Sequence, residues 1–113
     1  MQNISTFGER IRHLREEKQL PIRKVAAFAD IDPSTLSKIE RSERYANESL
    51  IDKLAQLFQI EKQELLNEFI SDKIAREIMV IEQPEEILQL IRSKMKYLRN
   101  RDQLQGTIKF SNG

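Results

Sequence analysis

Two groups of basic side chains are the part of this sequence with the clearest chemical potential. Six basic residues lie between Arg10 and Lys24, and five lie between Arg92 and Arg101 with no acidic residue among them. Lysine and arginine at this density suit the phosphates of a nucleic acid. Each group taken alone is just as typical of a solvated helix face. Because the net charge is only +1, total charge does not distinguish phosphate binding from a solvated helix face. The arrangement of the helices that carry these residues has to distinguish them.

Residues suited to catalysis or metal binding are sparse. The chain has no cysteine and a single histidine, His13, which excludes a thiolate metal site and a histidine-rich metal centre. It contains neither a Gly-x-x-x-x-Gly-Lys phosphate loop nor a paired nucleophile and base. His13 lies among charged residues of the first predicted helix. We therefore predict no enzymatic activity and no metal or cofactor.

Composition and spacing predict an all-α fold. The chain has three glycines and three prolines in 113 residues, and leucine, isoleucine, glutamate, lysine, arginine and glutamine are abundant. Apolar residues recur at the three- and four-residue intervals of amphipathic helices. The expected helices cover about residues 6–18, 21–29, 33–41 and 47–58, a fifth stretch after Ile60 that reaches Ile74, and about residues 84–101.

The segment from residue 21 to residue 41 has the signals of two short helices joined by a tight turn. We expect Asp30 to end the first helix in a left-handed conformation, and Phe28 to join its inward face. Asp32 is expected to cap the second helix, with Pro33 at its first position. Such a pair is the geometry with which one helix enters the major groove of DNA, although a structural helical hairpin has the same pattern.

Residue detail favours the DNA-reading interpretation. The motifs GERIRHLREEK, VAAFADI, DPSTLSKIER and LAQLFQIEKQELL occur in this order between Phe7 and Leu66. With that order and spacing, the stretch resembles the phage repressor/Cro-type family, often called XRE-like. The resemblance implies a five-helix lambda-repressor-like domain that binds operator DNA, usually as a dimer on two half-sites. We therefore expect a helix-turn-helix domain over residues 1–66, a C-terminal helical dimerisation segment over 67–101 and a flexible tail over 102–113.

The resemblance also implies roles for individual residues of the third helix. Residues that would face base edges are Ser34, Thr35, Ser37 and Lys38. Lys38 is the best suited to guanine, with a phosphate contact as the alternative, whereas Ser34 and Thr35 could merely serve the helix start. Arg15 and Glu40 match a pair that joins the first helix to the third in relatives; independent surface charges are the alternative.

Further residues are expected to contact phosphates or to steer the protein towards DNA. They are Arg10, Arg23, Arg41, Arg44, Lys53 and Tyr45. Ile22 stands where many relatives have a phosphate-binding glutamine, so either Arg23 takes that role or this end packs differently. Asp30 and Ser42 replace glycines that are common in the family.

The C-terminal region has no resemblance of comparable specificity. Ile87, Ile91, Met95 and Leu98 form an apolar stripe that predicts a homodimer, or else folds back onto the domain. No apolar run approaches the roughly 20 residues needed to span a bilayer, so we expect a cytoplasmic regulator of transcription. We expect it to repress from a palindromic site on double-stranded DNA. An antitoxin, a restriction-modification controller or a protein-interaction module acting through the C-terminal helices has the same pattern.

Overall fold

The computed structural model describes residues 4–104, and this part of the chain contains six helices and no strand. The helices are α1 (Phe7–Glu17), α2 (Ile22–Ala29), α3 (Pro33–Glu40), α4 (Glu48–Phe58), α5 (Lys62–Ile78) and α6 (Pro84–Leu104). The predicted fold, a five-helix domain followed by a helical extension, is confirmed. The last helix ends three residues later than predicted, and the rest of the expected tail, residues 105–113, lies outside the described residues.

The chain divides into two compact units. The first extends to Ile74 and the second begins at Ala75. The first unit therefore holds the first four helices and most of α5, and the second holds α6. The helix-turn-helix pair and every residue expected to contact DNA lie in the first unit.

The core of the first unit combines apolar side chains from all five of its helices. Ile11, Leu36, Ile51, Leu54 and Leu65 are fully buried, and each contributes roughly 1.5–3 kcal/mol through removal of apolar surface from water. They come from α1, α3, α4 and α5, while α2 adds a valine and two alanines. Because α3 packs against both α1 and α2, its orientation is fixed.

Two local predictions were wrong. Phe28 is 49% exposed, because the buried face of α2 is centred on Val25, Ala26 and Ala29 and leaves position 28 to the side. Asp32 occupies the N-cap position of α3, but its side chain makes no capping hydrogen bond. Pro33 at the first turn still favours the helix start, because its fixed φ already has a helical value.

Several helices end at a residue in the left-handed conformation that is not glycine. Asp30 has φ 59° as predicted, and Gln19, Ser42 and Gln59, which follow α1, α3 and α4, have φ between 55° and 62°; Gln83, directly before α6, has φ 58°. A side chain in this conformation costs roughly 1–2 kcal/mol relative to the right-handed helix. These residues therefore lower the stability of the folded chain, and glycine at the same positions would remove the steric part of that loss.

Gly8 is the point at which α1 approaches α3 most closely. A Cβ atom at this position would lie 2.3 Å from the carbonyl oxygen of Ile39 and 2.6 Å from that of Glu40. Both atoms belong to backbone, which cannot turn aside as a flexible side chain can. Residue 8 therefore has to be glycine for α1 to support the C-terminal end of α3 at this distance.

Candidate nucleic-acid interface

One face of α3, continued by its C-cap residue, carries four of the residues predicted to contact DNA. Ser37, Lys38 and Arg41 lie three, four and seven positions after Ser34, so the four residues lie on the same side; we call this set the reading face. Ser34 and Lys38 are exposed, and Ser37 is half-buried. Leu36 and Ile39 hold the opposite side of the helix in the core. The reading face is thus presented to solvent by a rigidly packed helix.

Thr35 is placed apart from the reading face. Its side chain lines a small cleft together with Arg44, Tyr45 and Lys53. Lys53 donates from Nζ to the carbonyl oxygen of Ala29 at 3.4 Å, a long contact at the C-terminal end of α2. The cleft brings two cationic side chains, Arg44 and Lys53, close to the start of α4.

Arg41 is held by two neighbours on the same surface. Its Nε and Nη2 donate to the two carboxylate oxygens of Glu43 at 2.9 and 3.2 Å, and Nη1 donates to Ser37 Oγ at 2.5 Å. The hydrogen bond from Arg41, together with its positive charge, lowers the pKa of the Glu43 carboxyl below its usual value. Both side chains remain 54% exposed. An acidic residue therefore sits beside a surface expected to meet a polyanion.

Arg15 and Glu40 are brought together between α1 and α3. Arg15 Nε and Nη2 donate to the two oxygens of Glu40 at 2.8 and 3.1 Å, and Nη1 donates to the carbonyl oxygen of Leu20 at 3.0 Å. The side chains are 14% and 4% exposed. The hydrogen bond to Glu40 raises the pKa of Arg15, so this guanidinium is held in its charged form. The pair ties the last residue of α3 to the helix that supports it.

Arg10 is paired with two acidic side chains of α5. Its guanidinium contacts Glu68 and donates to Glu64 at 2.6 Å, and both carboxylates belong to α5. These contacts link α1 to α5 and occupy the Arg10 guanidinium in the free protein, and its contact with a phosphate stays a prediction.

The remaining phosphate candidates lie at the ends of the helix-turn-helix pair. Arg23 is exposed in the first turn of α2, beside Ile22, which is half-buried against the core. Arg44 is exposed in the loop after α3. Ile22, which replaces the common glutamine, is therefore used for packing, and Arg23 and Lys24 are the exposed basic side chains of that turn.

Tyr45 belongs to an aromatic chain that extends from the loop into α5. Its ring meets Phe69 edge-on at 5.9 Å between centroids, and Phe69 meets Phe7 in the same way at 5.5 Å. Lys73 Nζ lies 5.7 Å from the centroid of the Tyr45 ring. The ring is 57% exposed, so its edge is accessible although one side is covered.

Sequence reasoning missed Glu43 and Lys73 as members of this surface. The signal for Glu43 was its position two residues after Arg41, where a short side chain-to-side chain contact is possible. Lys73 carried no comparable signal, since its partner ring lies 28 positions earlier in the sequence.

The four residues predicted to pair two copies lie on α6. Ile91, Met95 and Leu98 are 39–49% exposed and Ile87 is half-buried. Leu88 adds a further exposed side chain to the same stripe. Tyr97 is also exposed, but the helical period places it away from the stripe, whereas Leu90, three residues after Ile87, borders the stripe.

Comparison with known proteins adds the following. A family model described as a helix-turn-helix domain matches residues 6–69. A sequence search of curated proteins finds no match. Among solved structures, the restriction-modification controller protein C.AhdI from Aeromonas hydrophila is 37% identical, with 52% of this chain and 89% of that chain covered and a TM-score of 0.49.

Two further structures show likeness of fold. The clp gene regulator ClgR from Corynebacterium glutamicum is 17% identical, with 78% of this chain and 88% of that chain covered and a TM-score of 0.51. The SinR protein/SinI protein complex contains a chain that is 23% identical, with 88% of this chain and 94% of that chain covered and a TM-score of 0.51. Among residues 4–104, no helix combines the length and apolar character that crossing a bilayer requires.

Proposed function

Because this chain belongs to the helix-turn-helix family of DNA-binding regulators, whose domain occupies residues 6–69, we propose that it binds a specific sequence of double-stranded DNA through α3 and represses transcription there. The observation that carries the proposal is the reading face on a helix that is buried on its other side. A helix held in this way can enter the major groove without changing its own support. Bound at a promoter, the protein would exclude the polymerase.

Within the reading face, we assign base contacts to Ser34, Ser37 and Lys38. Serine hydroxyls can donate to or accept from a base edge, and a lysine ammonium suits the O6 and N7 acceptors of guanine. We assign backbone contacts to Arg23, Arg41, Arg44 and Tyr45, whose exposed positions at the rim of the helix pair suit phosphates. Thr35 is assigned to the cleft beside Arg44 rather than to bases.

Selection of bound sequences from a pool of random duplexes at physiological salt tests the proposal. We expect one sequence to be enriched, with two copies of a half-site in inverted orientation. Enrichment of no sequence over many rounds would contradict it. Enrichment of a single half-site without an inverted copy would support sequence-specific binding and contradict binding as a two-fold dimer.

We further propose that two copies pair through the α6 stripe of Ile87, Ile91, Met95 and Leu98. An exposed apolar stripe of this length is costly in water, and a two-fold partner offers the same surface. Two reading faces would then meet half-sites about 34–36 Å apart, one turn of the double helix.

The double substitution Ile91→Asp and Leu98→Asp tests the pairing in the full chain. We expect a monomer at tens of micromolar in sedimentation, whereas the wild-type chain is a dimer. Tyr97→Asp is the matched control, since it adds a charge to an exposed position away from the stripe. A wild-type monomer would reject self-pairing, and a hetero-complex formed through the same stripe would favour the alternative of a protein-interaction module.

A further inference from the structure

Arg41 lies on the reading face, yet its guanidinium is occupied in the free protein. Glu43 accepts two of its hydrogen bonds and Ser37 accepts a third. Three of the five guanidinium N–H donors are therefore in use before any DNA is present. Glu43 holds the Nε and Nη2 donors as a pair, the bidentate arrangement with which an arginine also binds a phosphate.

A DNA phosphate has to compete with Glu43 for this guanidinium. The carboxylate is attached two residues away, so its local concentration around Arg41 does not fall on dilution. A phosphate that displaced it would also leave an unpaired negative charge close to the DNA. Both effects oppose the exchange, and neither depends on the base sequence of the duplex.

We propose that Glu43 is an internal competitor of the DNA backbone for Arg41, and that it holds down the affinity of the protein for phosphates. The inference rests on the proposed DNA-binding function and assigns a role to a residue that does not itself bind DNA. While Glu43 is present, Arg41 contributes little to the release of counterions from the duplex. Without it, Arg41 acts as one additional phosphate contact.

Glu43→Gln tests the inference, because glutamine keeps the size of the side chain and removes its charge. One additional phosphate steepens the slope of log Kobs against log salt by about 0.9, which at 0.1 M salt corresponds to binding about eightfold tighter. We therefore expect a 30-base-pair duplex of random sequence to bind roughly five- to tenfold tighter, with a steeper salt dependence by about one unit.

Glu16→Gln is the matched control. Glu16 is 53% exposed and pairs with the guanidinium of Arg12 at 3.1 Å, so the substitution removes the same charge from an equivalent surface ion pair outside the reading face. The double variant Arg41→Gln with Glu43→Gln should lose the gain in affinity. Unchanged urea midpoints verify that each variant folds.

The outcomes separate this inference from the proposed function. If Glu43→Gln binds no tighter than Glu16→Gln while the wild-type chain still enriches a sequence, only the competitor role is rejected. If the double variant Arg41→Gln with Glu43→Gln still binds DNA more tightly than wild type, Glu43 acts by repelling DNA directly, and the competitor role is overturned. If no variant binds any duplex, the proposed function fails and the inference fails with it.

Discussion

The contact between Arg15 and Glu40 should dominate the stability of the junction between α1 and α3. Replacing Arg15 with methionine keeps an unbranched side chain but leaves the Glu40 carboxylate, which is 4% exposed, without its partner. Breaking a buried pair from one side costs about 3–5 kcal/mol. Because Arg15 is 14% exposed, water can reach part of the site, and we place the loss at the lower end, about 3 kcal/mol.

A double-mutant cycle in urea measures the pair directly. With an m-value of about 1.5 kcal/mol per molar urea, Arg15→Met should lower the unfolding midpoint by about 2 M. Glu40→Gln should also destabilise, and the double variant should lose less than the sum of the two by about 1–3 kcal/mol. The exposed pair of Arg12 and Glu16 on the same helix is the internal standard, with an expected coupling of about 0.3–0.5 kcal/mol. A coupling between Arg15 and Glu40 no larger than this standard would refute the bracing role.

Four other results are expected. Lys38→Ala should weaken binding to the selected site by about 1–3 kcal/mol and relax preference at one base pair, whereas Arg44→Ala should weaken selected and random duplexes alike; equal loss on both duplexes for Lys38 would make it a backbone contact. Gln59→Gly should raise the free energy of unfolding by about 0.5–1 kcal/mol, because φ 57° is free of strain only for glycine, and an unchanged urea midpoint would contradict this. Gly8→Ala should destabilise by about 1–3 kcal/mol, since α1 must move away from the α3 carbonyls, and a wild-type midpoint would show that the approach is looser than described. In a carbon-detected NMR titration, the pKa of the Glu43 carboxyl should lie below its ordinary value. The ion pair with Arg41 is complete above the ordinary pKa of glutamate and is lost as the pH falls through the lowered pKa. A titration midpoint at the ordinary pKa would disprove the contact.

The helix-turn-helix pair was predictable because its signals are local. Asp30 adopts the left-handed conformation that a short polar side chain tolerates, and Pro33 marks the start of α3 at the expected residue. Phe28 was misjudged because the helical period does not decide the edge of a buried face. Whether a residue at that edge is covered depends on the neighbouring helix, which a single helix cannot reveal.

The contacts that were not predicted join residues far apart in sequence. Arg10 meets Glu64 and Glu68, which lie 54 and 58 positions later, and no local pattern announces such a pair. The contact of Arg15 with Glu40 was foreseen only through resemblance to a family in which it recurs. Glu43 was overlooked for another reason, since an acidic residue on a loop proposed to face DNA contradicts the expectation that this surface is basic.

The aromatic chain through Tyr45 has a practical consequence for spectroscopy. The sequence contains no tryptophan and two tyrosines, of which only Tyr45 belongs to the first unit. Replacing Tyr97 with phenylalanine would therefore leave one phenol to report absorbance and emission above 275 nm. That phenol is packed against Phe69 on one side and is open to solvent at the loop after α3. The protein thus carries a native optical probe in the loop that follows α3, and changes in the surroundings of this loop can be followed without an attached dye.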